Sequence, residues 1–335
     1  MINGSVILVT GGTGSWGQEL VKQLLSKYSV KELRIFSRGE YKQVKMAEDF
    51  DNDSRLKFII GDVRDREALD MAMRDVDIVF HLAALKQVPI CEKNCREAVL
   101  TNINGVQNVI DLAIMHNVKK VVDISTDKAA EPLNFYGITK ACGERMIVNA
   151  NNNFAFNKNT SFVCIRGGNV MGTQGSVIPL FKKQIKNKNK ITVTDENMTR
   201  FLMSTKEAIA LVFKAVEASV GGEIFVMRMA AAEMKTLDNV MIKLFGNKNT
   251  KIENIGIRQG EKMHEVLVSK NEVSGTRVFS DKYFVILPQY KDEKLEKKYN
   301  HLEKIDLTEF SSQNTHIYSE DELERVLRNE EWLMN

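Results

Sequence analysis

Tyr136 and Lys140 stand four residues apart in Phe135-Tyr136-Gly137-Ile138-Thr139-Lys140. On a helix that spacing puts them on one face, one turn apart. An ammonium beside a phenol favours the phenolate and lowers a pKa otherwise near 10, so the pair predicts a tyrosine that can take a proton near neutral pH. Just upstream, Ser125-Thr126-Asp127-Lys128 adds two hydroxyls and a second acid/base pair. The Tyr-x-x-x-Lys spacing alone is common on helices, so its meaning rests on the elements that hold it.

Those elements read as β-α alternation. Val121-Val122-Asp123-Ile124 has the character of a buried strand that turns polar at Ser125. Pro132 then offers a helix-compatible φ ahead of a helical pattern over 134–150. Short apolar runs predict strands at 5–10, 33–36, 56–60, 78–82, 119–124 and 162–165. Helices are expected after the first strand, through Leu20, Val21, Leu24 and Leu25, and at 40–50, 65–73 and 93–116. The fold class is therefore α/β, a doubly wound parallel (Rossmann) sheet with ligands at the carboxyl ends of its strands. After Arg166 the regularity breaks at a glycine-rich loop of Gly167, Gly168, Gly172 and Gly175, followed by Pro179 and a basic helix. A short strand near 191–194, a helix over 205–219 and α/β pieces at 223–246 and 251–269 come next. We expect residues 1–171 to form a dinucleotide-binding domain, with a return segment at about 203–228. Residues 172–202 and 229–290 would form a smaller, interleaved α/β substrate-binding region. The tail, 291–335, is charged and weakly patterned apart from an amphipathic helix near 319–333, read as packing or an oligomer contact.

Glycines 11, 14 and 17 form G-x-x-G-x-x-G directly after the first strand and at the start of a helix. Glycine there permits a tight turn and close backbone approach to a pyrophosphate, whose charge the helix N-terminus favours. Thr13 and Ser15 belong to the same loop, and Trp16 within it is expected to pack. The second strand ends in Ser37-Arg38 with Lys42 close behind, where an NAD site would show an acid for the ribose hydroxyl. A serine and an arginine suit a 2′-phosphate, so NADP is expected; the nearby Glu40 leaves NAD open. Asp62-Val63 would reach the adenine, and Ala83-Ala84 would line the cofactor.

The 335 residues allow one large domain or two joined ones with a substantial core. Forty-seven basic and 44 acidic residues nearly cancel, which gives no reason to expect nucleic acid or a membrane surface as partner. Four cysteines (Cys91, Cys95, Cys142 and Cys164) lack grouped His or Cys partners for a zinc site, so reduced thiols in a cytoplasmic protein and no metal are expected. There is no apolar run long enough to span a bilayer. His81 reads as structural and His264 as orienting a neighbour.

The glycine loop, Asp62-Val63, His81-Leu82-Ala83-Ala84, Ser125-Thr126 and Tyr136/Lys140 together resemble an extended short-chain dehydrogenase/reductase. The resemblance narrows at Leu85-Lys86-Gln87-Val88-Pro89, Ser125-Thr126-Asp127-Lys128-Ala129, Met198-Thr199-Arg200-Phe201 and Ile257-Arg258-Gln259-Gly260-Glu261-Lys262-Met263-His264-Glu265. These motifs are similar to those of the inverting UDP-N-acetylglucosamine 4,6-dehydratases (5-epimerases) of pseudaminic acid and capsular sugar pathways, from about residue 3 to 290. Gly39 and Gly167 depart from the pattern, in place of an acidic residue and an aromatic respectively.

The resemblance implies the following roles. Tyr136 takes the C4 hydroxyl proton as hydride leaves C4. Lys140 lowers the tyrosine pKa and holds the nicotinamide ribose, and Thr126 or Ser125 hydrogen-bonds the C4 oxygen. Lys128, as a neutral amine with a lowered pKa, removes the acidified C5 proton, and Asp127 protonates the departing C6 hydroxyl. Hydride then returns to C6. Arg200 and Arg258 are candidates for the UDP diphosphate. Asn169 and Glu261 would contact substrate, Lys86 would approach substrate or cofactor, and Asn102 would position a water near Lys140. The substrate implied is UDP-N-acetylglucosamine, and the assembly a homo-oligomer, dimer or hexamer. A 4-epimerase on the same scaffold would need Tyr136 and Lys140 but not Asp127-Lys128. A non-catalytic NADP-binding sensor would need none of the four. A retaining dehydratase would give the C5 epimer of the product.

Overall fold

A computed structural model describes residues 1–152, 159–173 and 175–330. Six parallel strands form the frame: β1 (Val6–Thr10), β2 (Glu32–Ser37), β3 (Leu56–Ile60), β4 (Ile78–His81), β5 (Lys120–Thr126) and β6 (Ser161–Gly167). They belong to a nine-stranded sheet. From one edge it runs Thr276–Ser280, Tyr283–Ile286, Ile224–Met227, β6, β5, β4, β1, β2 and β3. Ile224–Met227 extends the parallel set, and the two strands beyond it are antiparallel. This is the expected doubly wound sheet. Between β4 and β2 the chain order reverses on either side of β1, and such a switch point opens a crevice at the strands' carboxyl ends. Ile7, Leu8, Val9, Ile78, Val79, Phe80, Val121 and Val122 are all completely buried, because helices cover both faces of these central strands.

Three expectations need correction. The helix expected over 93–116 is broken into Val88–Lys93, Cys95–Val99, a π-helical turn at Leu100–Asn104 and Gly105–Met115. The piece at 251–269 contains no helix. Lys251–Asn254 pairs in parallel with Lys190–Val193, and a loop then leads to Val266–Val268. The tail is also more than a loosely patterned appendage. Phe310–Ser311 pairs antiparallel with Val266–Val268, and Ile317 bridges to Ala231. The terminal helix is formed over Glu320–Arg328; the remainder of the expected span, 331–333, lies outside the described residues. Leu323 and Leu327 on this helix are fully buried in a second hydrophobic cluster with Ile178, Phe181, Leu237, Val240 and Met241.

Among the described residues no helix is long and apolar enough to cross a membrane. All four cysteines are free thiols, Cys91 and Cys164 buried and the other two exposed.

Candidate active site

A cavity of about 1460 Å³ opens at the carboxyl ends of β1, β2, β4, β5 and β6 and runs on to the second hydrophobic cluster. That exceeds the usual range for one small ligand, roughly 300–1,000 Å³, and leaves room for two side by side. Every candidate for catalysis, cofactor or substrate binding named from the sequence lines it except Asp127 and Asn102.

One end of the cavity is a backbone cradle. Gly11 has φ +68°, and a Cβ there would lie 2.9 Å from the Ala83 backbone. A Cβ on Gly17 would come within 2.3 Å of the Gly12 carbonyl oxygen, so the helix Ser15–Lys27 starts hard against the strand end. Only glycine allows that approach, and it leaves the helix N-terminus facing the cavity. At the far rim Arg38 is exposed, 3.7 Å from Asp62, which Arg64 grips at 2.6 Å. Ser37 is tied down, its hydroxyl accepting from Gln43 at 3.0 Å. Trp16 rests against the end of β6: a Cβ on Gly167 would be 3.2 Å from its ring. The indole therefore occupies the volume that an aromatic at position 167 would claim, which accounts for that departure from the family pattern.

The helix carrying Tyr136 spans Phe135–Ala150 and is capped by Asn134, whose side chain accepts from the Gly137 N–H at 2.8 Å. Gly137 allows this helix to press on the preceding turn, since a Cβ there would sit 2.3 Å from the Lys128 carbonyl oxygen. The Asn134 amide also donates to the Gly260 carbonyl at 2.9 Å, and the Lys262 ammonium donates to the Ala130 carbonyl at 2.6 Å. The Arg258–Glu265 loop is thereby stitched over the start of the tyrosine helix. Arg258 at its exposed tip is 3.7 Å from Glu261.

Lys128 lies between acceptors. Its ammonium is 3.0 Å from Asp127 Oδ1, 3.4 Å from Asn169 Oδ1 and 3.4 Å from Glu265 Oε1. Asp127 also accepts from the Thr126 hydroxyl at 2.8 Å and is completely buried. Burial alone would lower the Lys128 pKa, but the charges of Asp127 and Glu265 outweigh it and the net shift is upward. In place of the expected depressed amine, the two carboxylates favour the ammonium. Tyr136 needs a similar correction. Lys140 pulls its pKa down as foreseen, and Lys128 and a hydrogen bond with Thr126 add to that, yet burial dominates and the net shift is upward from 10.

Beneath Tyr136, Lys140 is 3.4 Å from Asp123, and both are buried. Burial disfavours the Lys140 charge, but Asp123 together with Tyr136 and Cys164 outweighs it and the net shift of its pKa is upward. His81, next to Asp123 in the β4–β5 register, is held neutral by burial with its pKa pushed down to about 4; its Nδ1 bonds the Thr10 hydroxyl at 2.8 Å. Asn102 is engaged elsewhere than expected. Its amide donates to the Leu85 carbonyl and the Thr139 hydroxyl and its oxygen accepts from the Leu85 N–H, all at 2.9–3.0 Å. It therefore clamps the loop after β4 to the tyrosine helix.

Two participants were missed in the sequence. Glu265 is buried, lines the cavity and neighbours both Lys128 and Arg200, the latter at 3.8 Å. It closes a quoted motif, but nothing local marked it as facing inward. Asp123 was read as one residue of a strand, and its partner is seventeen positions on.

The family model for "Polysaccharide biosynthesis protein" matches residues 7–287. The chain belongs to this family. An inverting UDP-N-acetylglucosamine 4,6-dehydratase of Campylobacter jejuni is 44% identical over 87% of this chain and 85% of its own. A UDP-glucose 4-epimerase of Rickettsia bellii is 41% identical over 96% of this chain and 95% of its own. The crystal structure of Pen from Bacillus thuringiensis superposes with a TM-score of 0.90 at 38% identity, covering 98% of this chain and 99% of that one. The chain is thus similar to both a dehydratase and an epimerase, and the site itself must distinguish the two chemistries.

Proposed function

We propose that this family member is a UDP-N-acetylglucosamine 4,6-dehydratase that inverts C5. It would release UDP-2-acetamido-2,6-dideoxy-β-L-arabino-hex-4-ulose for surface-glycan biosynthesis in the cytoplasm, working as a homo-oligomer. The observation that carries the reading is the Asp127–Lys128 ion pair beside Tyr136. A 4-epimerase exchanges hydride at C4 alone and has no task for an elimination pair.

The cradle of Gly11, Gly14 and Gly17 fits a dinucleotide pyrophosphate, with Arg38 and Lys42 at the rim for a 2′-phosphate, so NADP is the cofactor we assign. Bound there, it supplies reversible hydride chemistry. Tyr136 accepts the C4 hydroxyl proton while Thr126 or Ser125 holds the C4 oxygen. Lys140 keeps a positive charge beneath the tyrosine and so favours its deprotonation. Elimination across C5 and C6 needs an amine base and a carboxylic acid. That state carries the same number of protons as the resting Asp127/Lys128 ion pair and differs from it only by one proton moved along a 3.0 Å hydrogen bond. Lys128 then takes the C5 proton and Asp127, whose carboxyl lies behind the cavity wall, gives its own to the departing hydroxyl by way of the Thr126 hydroxyl that it bonds at 2.8 Å, which restores the ion pair. Arg200 and Arg258 would hold the diphosphate, with Asn169, Glu261 and Lys86 around the sugar.

The deciding experiment is mass spectrometry and proton NMR of UDP-N-acetylglucosamine incubated with pure protein and catalytic NADP+. Loss of one water, a new C6 methyl signal and L-arabino geometry at C5 are expected. An unchanged mass with a galacto-configured product would assign the protein as a 4-epimerase instead. The opposite configuration at C5 would make it a retaining dehydratase.

A further inference from the structure

Lys128 is flanked by two carboxylates, and only one of them faces the cavity. Asp127 is completely buried and does not line it, whereas Glu265 does, with a few per cent of its surface exposed. Glu265 has one oxygen 3.4 Å from the Lys128 ammonium, while its other oxygen, Oε2, is buried with no hydrogen-bond partner. A buried carboxylate oxygen left unpaired costs on the order of 1–3 kcal/mol or more, so its retention in a cavity wall calls for a task. The backbone around Glu265 is held firmly. Its N–H donates to the Ser312 hydroxyl at 2.9 Å and its carbonyl accepts from the Ser312 N–H at 2.8 Å. Ser312 also bonds the hydroxyl and the carbonyl of Thr199. The tail thus fixes Glu265 at the mouth of the lysine.

We propose that Glu265 is a positioning residue for the elimination step, orienting the Lys128 amine toward substrate and stabilising the ammonium that forms as the C5 proton is taken. The inference rests on the dehydratase reading above. It follows the logic of a base oriented and charge-stabilised by a third group. In the step, the C5–H bond breaks and its electron pair stays on the sugar as the enolate of the C4 ketone. The proton forms an N–H bond on Lys128, and Glu265 remains a carboxylate throughout. The charged and titratable groups around Glu265 are Lys128, with Asp127 beside it, on the turn after β5, Arg200 on the strand Thr199–Met203 and Lys262 on its own loop. Arg200, 3.8 Å away, leaves a cation beside Glu265 when Lys128 becomes neutral.

Glu265→Gln keeps the shape and removes the charge, and the two half-reactions can be read separately. With wild type and UDP-N-acetylglucosamine, a single turnover shows transient NADPH absorbance, followed by product carrying solvent deuterium at C5 when run in D2O. In the E265Q variant we expect transient absorbance to appear at a rate within about threefold of wild type, while product formation falls roughly 10²-fold. The isotope effect for substrate deuterated at C5 should become fully expressed. The limb of the pH–rate profile that reports Lys128 should move to lower pH, because one of the two charges raising that pKa is gone. Glu265→Asp should recover part of the rate. Equal loss of oxidation and elimination, or an unchanged C5 isotope effect and pH profile, would overturn the inference and reduce Glu265 to a packing role. Should wild type itself fail to dehydrate the sugar nucleotide, the dehydratase reading falls and takes this inference with it.

Discussion

Tyr136 sits in the cavity wall as a buried phenol, and the positive charge it depends on comes from a lysine that is itself ion-paired with Asp123. Lys140→Met would remove that charge and let burial act alone, raising the Tyr136 pKa further. The expected result is a kcat lower by about 10²-fold at neutral pH and a pH–rate profile whose acid limb moves to higher pH. The substitution also strands Asp123 without its partner, which costs about 3–5 kcal/mol when a buried pair is broken on one side. A Lys140→Met/Asp123→Asn double variant should therefore regain thermal stability without regaining rate; recovery of both would show that Lys140 acts only in folding. At this scale the sequence was informative wherever chemistry is local. Tyr136, Lys140, Asp127 and Lys128 are separated by one helical turn or one peptide bond, and their types declare their use. The pKa shifts of Lys128 and Tyr136 run opposite to expectation because they depend on Glu265 and on depth of burial, neither of which has a local signature.

Arg166 shows what the elements must solve together. It is among the largest fully buried side chains, with its guanidinium shared between Glu144 on the tyrosine helix and Glu272 beyond the strand Val266–Val268. Its partners lie 22 and 106 positions away, so no window of sequence could reveal the lock. The same applies to the tail. Phe310–Ser311 looked like unpatterned chain because a two-residue strand has no periodicity, and its identity comes from the edge it joins. The alternation of β1 to β6, by contrast, was legible because fully buried parallel strands are continuous apolar runs. Ser312→Ala tests the tail's contribution. It leaves the Glu265 N–H and the Thr199 hydroxyl short of a partner, and we expect a loss of about 1–3 kcal/mol in urea unfolding together with a lower kcat. Unchanged kcat at equal stability loss would separate the tail from the site.

Over the whole molecule, one cavity serves both the cradle at β1 and the elimination groups at β5, so a bound dinucleotide should stabilise far more than its immediate neighbours. At a hundredfold excess over Kd that linkage amounts to about 2.7 kcal/mol. NADP+ should raise the melting temperature more than NAD+, and Arg38→Ala should shrink the difference; equal shifts for both dinucleotides in wild type would refute the NADP assignment. The contact between Trp16 and Gly167 has a further use. The chain has only two tryptophans, and the other, Trp332, lies outside the described residues. With Trp332 replaced by phenylalanine, the remaining indole is a native fluorophore between the glycine loop and the end of β6. Its emission would register the arrival of dinucleotide and of sugar nucleotide as separate optical events, with no label attached and no catalytic group altered.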